Sequence, residues 1–259
     1  MNIVTVIPAR YASTRLPAKP LADICGKPMI QWVYERATRA SSHGRVIVAT
    51  DDDRILKAVH KFGGEAILTH THLPSGTDRV AAVAEQVAGD LFVNVQGDEP
   101  LMNPEAIESV IQLVSSGRFS MGTIMSPLRD EADLDNPAVV KALADKAGRA
   151  IYFSRFPIPY SRGQREAVHG SYVCRRHVGL YAYTRETLFR LRDLKPSRIE
   201  QGEMLEQLRA LEDGIAIGIH ELDFLSVGVD TPDDLVRVRA LITQELAHQN
   251  ARKPIGDSE

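Results

Sequence analysis

Arg10, Arg15 and Lys19 stand on one short stretch that holds no acid until Asp23, in a chain whose formal net charge is −3. Cations gathered this way in an acidic protein indicate a locally built anion site, although a solvated loop gives the same count. Such a site suits a triphosphate, whose charge must be neutralised before a nucleophile can approach phosphorus. The stretch is neither a Walker loop nor a dinucleotide-binding Gly-x-Gly-x-x-Gly, and neither string occurs elsewhere. A generic ATPase or dehydrogenase is therefore disfavoured. Asp98, in Asn94-Val-Gln-Gly-Asp-Glu-Pro100, reads either as turn chemistry beside Gly97 or as a magnesium ligand. Mg²⁺ is usually held by one or two carboxylates plus substrate phosphates. Asp230, in Gly228-Val-Asp-Thr-Pro-Asp-Asp234, is a second carboxylate of that kind, whereas Asp233 and Asp234 suit the first turn of the helix that follows. Between residues 151 and 177 lie Arg155, Arg162, Arg165, Arg175 and Arg176 with one acid, Glu166. Arginine pairs bidentately with carboxylates, and a solvated basic loop accounts for Arg162 and Arg165.

These residues need a frame to bring them together. Ile3–Ile7 lacks in/out alternation and is expected to be a buried parallel strand, which puts Arg10 at its carboxyl end, where open α/β sheets bind ligands. Val46–Ala49 and Leu91–Val95 are further strands, and the second delivers Asp98 to the same edge. Helices show in the stripes Ile30, Val33, Tyr34, Ala37; Val80, Val83, Ala84, Val87; and Ile107, Val110, Ile111, Val114. Their starts are marked by Pro28, by Ser75 with Asp78, and by Asn103-Pro104. After about residue 120 the pattern changes. Met121–Ser126, Ala150–Phe153 and Val173–Tyr183 look like strands, around a stretch with Pro157, Pro159, Gly163 and Gly170. One helix is expected over 198–212, between a Ser197/Glu200 capping box and Gly214, with Leu205, Leu208 and Leu211 inward and Glu206 and Gln207 on the polar face. Another is expected over 232–248 after Thr231-Pro232. If the run Phe224–Val229 joins the sheet, Asp98 and Asp230 face one cation from two loops. The reading is a single α/β domain over 1–249, mostly parallel and doubly wound, with an inserted mixed lobe at about 120–197 and a polar tail at 250–259.

At 259 residues, 44% hydrophobic and 25% charged, the composition is that of an ordinary globular protein. Its charge argues against a nucleic-acid binder. Cys25 and Cys174 form no CxxC and no metal spacing, which fits idle thiols in a reducing compartment. Met1 leads straight into a strand, and no apolar stretch approaches the ~20 residues a membrane span needs, so the expected location is the cytoplasm. His70-Thr-His72 lacks a third ligand, and His43, His60, His169, His220 and His248 are assigned no role.

The string Pro8-Ala-Arg-Tyr-Ala-Ser-Thr-Arg-Leu-Pro-Ala-Lys-Pro-Leu21 resembles the opening of the sugar-acid cytidylyltransferases, above all the 3-deoxy-manno-octulosonate (Kdo) cytidylyltransferase family. One position departs, Ala18 where that family has Gly, and Gly alone tolerates positive φ without a steric cost. Five further blocks, in order up to residue 235, match it: Ser75-Gly-Thr-Asp-Arg79, the Asp98 block, Tyr152-Phe-Ser-Arg155 with His177-Val-Gly-Leu-Tyr181, Met204-Leu-Glu-Gln-Leu-Arg209, and the Asp230 block. The resemblance implies a nucleotide-diphospho-sugar transferase-like fold and CMP transfer from CTP to Kdo with release of pyrophosphate. It implies that Arg10, Arg15 and Lys19 hold the triphosphate, that Ser13 is a substrate-binding residue, that Asp98 and Asp230 ligate Mg²⁺, and that Ser75 or Gly76 lies near cytosine, with Thr77 and Asp78 as caps. Gln96 would contact sugar or nucleotide, Arg155, His177 and Tyr181 would lie near the sugar acid, and Glu206 and Gln207 would face its hydroxyls. His177 beside Arg175 and Arg176 is expected to stay neutral, because like charge disfavours its protonation. No side chain stands out as a protein general base. The resemblance further implies a homodimer built by the lobe, and a product that feeds lipopolysaccharide assembly.

Three other readings compete. The same chemistry could act on 8-amino-Kdo or sialic acid, although the His177–Tyr181 and Met204–Arg209 strings disfavour the latter. A catalytically inactive nucleotide-binding regulator would not need Arg15, Lys19, Asp98 and Asp230 together. An enzyme joining UTP or GTP to a sugar phosphate would want a second phosphate-holding cluster.

Overall fold

In the computed structural model, which describes residues 1–12, 16–160, 162 and 173–251, the first strand is β1, Ile3–Ala9. Its run of buried residues includes Thr5, whose hydroxyl donates to the His43 carbonyl at 2.8 Å, so the buried polar group is satisfied. A short 3₁₀ turn, Lys19–Leu21, and the tiny hairpin β2 (Asp23–Ile24) and β3 (Lys27–Pro28) lead into α1, Met29–Ala37. The chain then runs through β4 (Arg45–Thr50), α2 (Asp53–Lys61), β5 (Ala66–Leu68), α3 (Gly76–Gln86), β6 (Leu91–Asn94) and α4 (Pro104–Ser115). The second half holds β7 (Met121–Ser126), α5 (Glu131–Asp135), β8 (Lys141–Ala144), β9 (Ala150–Ser154), β10 (Arg175–Thr184), α6 (Arg185–Asp193), α7 (Arg198–Glu203), α8 (Gln207–Glu212), β11 (Ile217–Glu221) and α9 (Pro232–Ala251).

Among the described residues the sheet order is β11-β7-β10-β6-β1-β4-β5, with β8 paired to β10 and β9 to β8. The pairs β1–β4, β1–β6, β4–β5 and β7–β11 are parallel, and β10 runs antiparallel between β6 and β7. The expected mostly parallel, doubly wound α/β sheet is what forms. Helices α1, α2 and α4 cover one face through Ile30, Val33, Ile55, Val59, Ile107 and Val110. Helices α3, α6 and α8 cover the other through Val80, Val83, Leu188, Leu191 and Leu208. Each such side chain contributes roughly 1.5–3 kcal/mol on burial, enough to fix which stripe faces inward.

Because β10 reverses direction, its start lies at the same edge as the carboxyl ends of β1, β6 and β7. The excursion between β7 and β10, with the β8–β9 hairpin, therefore starts and ends at that edge. Of the expected lobe, β7 and β10 themselves belong to the central sheet. Gly163, Arg165, Glu166, His169, Gly170 and the tail beyond 251 lie outside the described residues.

One local expectation needs correction, and one open condition is decided. The helix expected over 198–212 is two helices, broken at Met204, which takes a left-handed conformation at φ 53°. The break lets exposed Met204 point away while Leu205, its neighbour, enters the core, a tertiary preference that overrides helix propensity. The run 224–229 forms no strand. It packs instead through Val227 and Val229 into a third small core with Ile24, Met29, Trp32, Leu235, Val238 and Ile242.

Candidate active site

Lys19 opens the 3₁₀ turn after Ala18, which sits at φ 53°, ψ 30° without being glycine. From there its ammonium reaches Asp98 Oδ2 at 2.7 Å and Asp230 Oδ1 at 3.1 Å. Burial, the largest single influence, pulls the Lys19 pKa down, but the two carboxylates outweigh it and hold the group above its ordinary value. Two features bring the carboxylates together. Gly97 crosses β1 so closely that a Cβ there would lie 2.4 Å from the Pro8 carbonyl oxygen, which seats Asp98 over the strand. The amide of Val229 donates to the Asp98 carbonyl at 2.9 Å, which ties the Asp230 segment to the Asp98 loop without a strand. Asp234 accepts from the amides of Asp230 and Thr231 at 3.1 and 2.8 Å and so orders the start of α9. Beside them Glu99 accepts from the Ser226 hydroxyl, and burial with the added charge of Asp98 pushes its carboxyl up to about 7 against that hydrogen bond.

Arg10 lies at the end of β1, its guanidinium donating to the Leu73 carbonyl at 2.5 Å. Behind it the fully buried Arg79 pairs with Asp51 at 3.2 Å and bonds Thr69, and Asp51 in turn accepts from the Tyr11 amide at 3.4 Å. Ser13 and Arg15 lie outside the described residues.

A second group of polar side chains gathers on the α3 face of the sheet. Ser75 and Asp78 form the expected capping box on α3. Glu206, delivered by the α7–α8 break, accepts from Ser75 Oγ at 2.7 Å and from Thr77 Oγ1 at 2.7 Å. Burial raises its pKa more than these two hydroxyls lower it. Gln207 is 5% exposed, and its Nε2 has no hydrogen-bond partner among the described residues. Gln96 donates to Asn94 Oδ1 at 3.3 Å and lies against Gly179, in the irregularity between Val178 and Tyr181 of β10. His177 and Tyr181 share one face, with ring centroids 5.5 Å apart, and Phe153 meets the imidazole edge-on at 4.8 Å. His177 Nε2 and Thr123 Oγ1 are 3.0 Å apart.

His177 is neutral, as expected, but for a different reason. Burial alone pulls the imidazole down to about 3. The neighbouring guanidiniums turn elsewhere, Arg175 to Glu221 at 2.7 Å and Arg176 to Asp133 at 3.6 Å. Tyr181 is raised well above its ordinary value by burial, with the charges of Tyr183 and Glu206 adding to it.

Arg155, expected near the sugar acid, directs its guanidinium to backbone carbonyls. Its Nε and Nη2 donate to the carbonyls of Glu203 and Met204 at 2.8 and 3.2 Å, and Nη1 donates to the Pro137 carbonyl at 2.9 Å. The Glu203 carboxylate returns to the Arg155 amide at 2.9 Å and the Ser154 hydroxyl at 2.6 Å. The sequence reading missed Thr77 as more than a cap, and missed Glu99, Thr123 and the Asp51–Arg79 pair altogether. Arg79 and Glu99 stood inside matched motifs, where an arginine in a helix's apolar stripe and an acid before Pro100 were the available signals.

Two carboxylates from separate loops converging on one cation are the donor set that suits Mg²⁺ with substrate phosphates completing its shell. Among the described residues no group of three or more His, Cys, Asp or Glu gathers as a metal cage, and no helix is long and apolar enough to cross a membrane.

Comparison with known proteins agrees with this geometry. A family profile described as cytidylyltransferase matches residues 4–217. The 3-deoxy-manno-octulosonate cytidylyltransferase of Trichlorobacter lovleyi is 47% identical over 94% of this chain and 100% of its own length. The protein of the same name from Anaeromyxobacter dehalogenans is 50% identical over 93% of this chain and 98% of its own. A CMP:2-keto-3-deoxy-manno-octonic acid synthetase solved in complex with CTP superposes with a TM-score of 0.88 at 44% identity, covering 95% of this chain and 100% of that one. The chain belongs to the cytidylyltransferase family and stands among its 3-deoxy-manno-octulosonate cytidylyltransferases.

Proposed function

We propose that this enzyme transfers CMP from CTP to Kdo, forming CMP-Kdo and pyrophosphate. The observation that carries the reading is the meeting of Lys19, Asp98 and Asp230 at the sheet edge, beside the polar group around Glu206. The sugar's anomeric hydroxyl attacks the α-phosphorus in line and pyrophosphate leaves, so the work is positioning and charge neutralisation. Arg10, Arg15 and Lys19 hold the triphosphate and take up the charge of the departing pyrophosphate, with Ser13 on the same loop. Asp98 and Asp230 hold Mg²⁺, which when bound polarises the α-phosphate and lowers the pKa of the attacking hydroxyl. Ser75, with Gly76, lines the nucleotide end.

The sugar acid lies against Gln96, His177, Tyr181, Glu206 and Gln207. Neutral His177 and protonated Tyr181 serve there as hydrogen-bonding groups, and the unpartnered Gln207 amide supplies a further donor. Arg155 acts at this end through the carbonyls of Glu203 and Met204, which set the break that delivers Glu206. The excursion within 120–197 is a sugar-binding and dimerisation lobe of a single domain. Exposed Ile151, Phe156, Tyr160 and Val173 on it suit a homodimer, which sedimentation of Phe156→Glu against the parent chain tests. The enzyme works in the cytoplasm, and its product feeds lipopolysaccharide synthesis.

The test is pyrophosphate release with CTP and Mg²⁺, offering Kdo, 8-amino-Kdo and N-acetylneuraminate in turn. Turnover with Kdo is expected. Turnover only with another acid would move the sugar assignment, and none with any of them in folded protein would overturn the reading.

A further inference from the structure

The Lys19 ammonium occupies the point where the carboxylates of Asp98 and Asp230 converge, 2.7 and 3.1 Å from their oxygens. Its side chain is 15% exposed, while Asp98 and Asp230 keep 33% and 49%. The carboxylates are thus more open to a cation arriving from solvent than the ammonium between them is to departure into it. A divalent ion held by the same carboxylates would compete with the ammonium already there, because two cations so close repel each other. If the ammonium yields, it needs another anion, since a partly buried charge without a partner is costly. The four-carbon lysine stem can turn without moving the backbone. Arg10, at the same sheet edge, marks where a triphosphate would supply that anion.

Resting on the metal and triphosphate roles proposed above, we infer that Lys19 is an exchangeable internal cation: it neutralises Asp98 and Asp230 until a divalent ion arrives with a nucleoside triphosphate, and then moves to the phosphates. Metal and nucleotide binding are thereby coupled. The metal displaces Lys19 from the carboxylates, the phosphates receive it, and each ligand strengthens the other's binding. Metal alone must displace the lysine without that compensation and binds weakly.

The test measures Mn²⁺ bound to the full-length protein by water-proton relaxation, with and without CTP and with no sugar present. In the parent chain CTP is expected to tighten Mn²⁺ binding, by a factor in the roughly 5- to 150-fold range typical of coupled sites. Lys19→Met should bind Mn²⁺ alone more tightly than the parent and lose most of the tightening by CTP. Lys27→Met removes a lysine that pairs with Glu35 at 2.8 Å, away from both carboxylates, and should change neither quantity. Mn²⁺ affinity in Lys19→Met equal to or below the parent's, or an undiminished CTP effect, overturns the exchange while leaving the metal site standing. The CTP dependence of the parent chain needs no variant, so its absence overturns the inference even if Lys19→Met fails to fold. Should Asp98→Asn leave Mn²⁺ binding with CTP intact, the metal site lies elsewhere and the proposed role of Asp98 falls with it.

Discussion

Two neighbours of Lys19 invite opposite experiments. Asp98 hangs from a loop seated by Gly97 over Pro8 and touches Lys19 through its side chain alone. Asp98→Asn keeps the shape and removes the charge. Turnover is expected to fall on the order of 10²-fold or more, the scale of losing a positioned electrostatic group, with an unchanged circular dichroism spectrum. Near-parent turnover would remove Asp98 from the chemistry. Ala18 is held at φ 53°, where a Cβ meets the following carbonyl at a cost of about 1–2 kcal/mol. Glycine would relieve that strain but lose roughly 0.5–1 kcal/mol to the freer unfolded chain. Ala18→Gly should therefore be stabilised by up to about 1.5 kcal/mol, which thermal unfolding would show as a rise of roughly 2–4 °C. A lower midpoint would mean that the methyl group packs usefully. That Ala18 stands at a positive-φ position was legible in the sequence, because the resembling motif carries Gly there.

At the scale of elements, the α7–α8 break decides where Glu206 lies, against Ser75 and Thr77. Capping by Ser197 and Glu200 was readable locally, since both partners sit three residues apart. The break was not. Nothing in Met204-Leu-Glu-Gln-Leu-Arg209 stops a helix; the chain breaks where Leu205 turns into the core, and Arg155, 48 residues away, takes up the carbonyl of Glu203. Arg155→Ala should loosen the break and let Glu206 leave Ser75 and Thr77. Expected is a KM for the sugar acid raised at least about tenfold with little change in CTP affinity, the split that calorimetric CTP titration and steady-state kinetics would reveal. Equal damage to both substrates would mean that Arg155 supports the whole edge.

For the whole molecule, the third core is what joins the loops bearing Lys19, Asp98 and Asp230. Ile24 and the nearby Leu16 and Ala22, Leu101, and Val227 with Val229 all pack there against α1 and α9. The antiparallel β10 brings His177 to the same edge and buries it. Its folded pKa of about 3 lies below the ordinary 6.5, so from pH 6.5 downward the unfolded chain binds the proton first. His177 thus contributes stability that is fully present above about pH 6.5 and is lost as the pH falls toward 3. Urea unfolding at pH 7 and pH 5 should show a smaller acid loss in His177→Gln than in the parent chain, and an equal loss would put the imidazole in contact with water.

Sequence alone determined what depends on neighbours in the chain: the strand runs, the helix stripes, the caps at Ser75, Asn103 and Ser197, and the residue types of the six motif blocks. It also carried the family, because those blocks are short contiguous strings. Only the tertiary structure decided which of these meet. Lys19 lies 79 residues from Asp98 and 211 from Asp230, and no local period encodes such a distance. The meeting follows from the packing of sheet, α1 and α9 together, as do the direction of β10, the fate of the 224–229 run and the burial that keeps His177 neutral. Contacts of that kind arise from simultaneous burial of distant apolar surfaces, which no single stretch of the chain can specify.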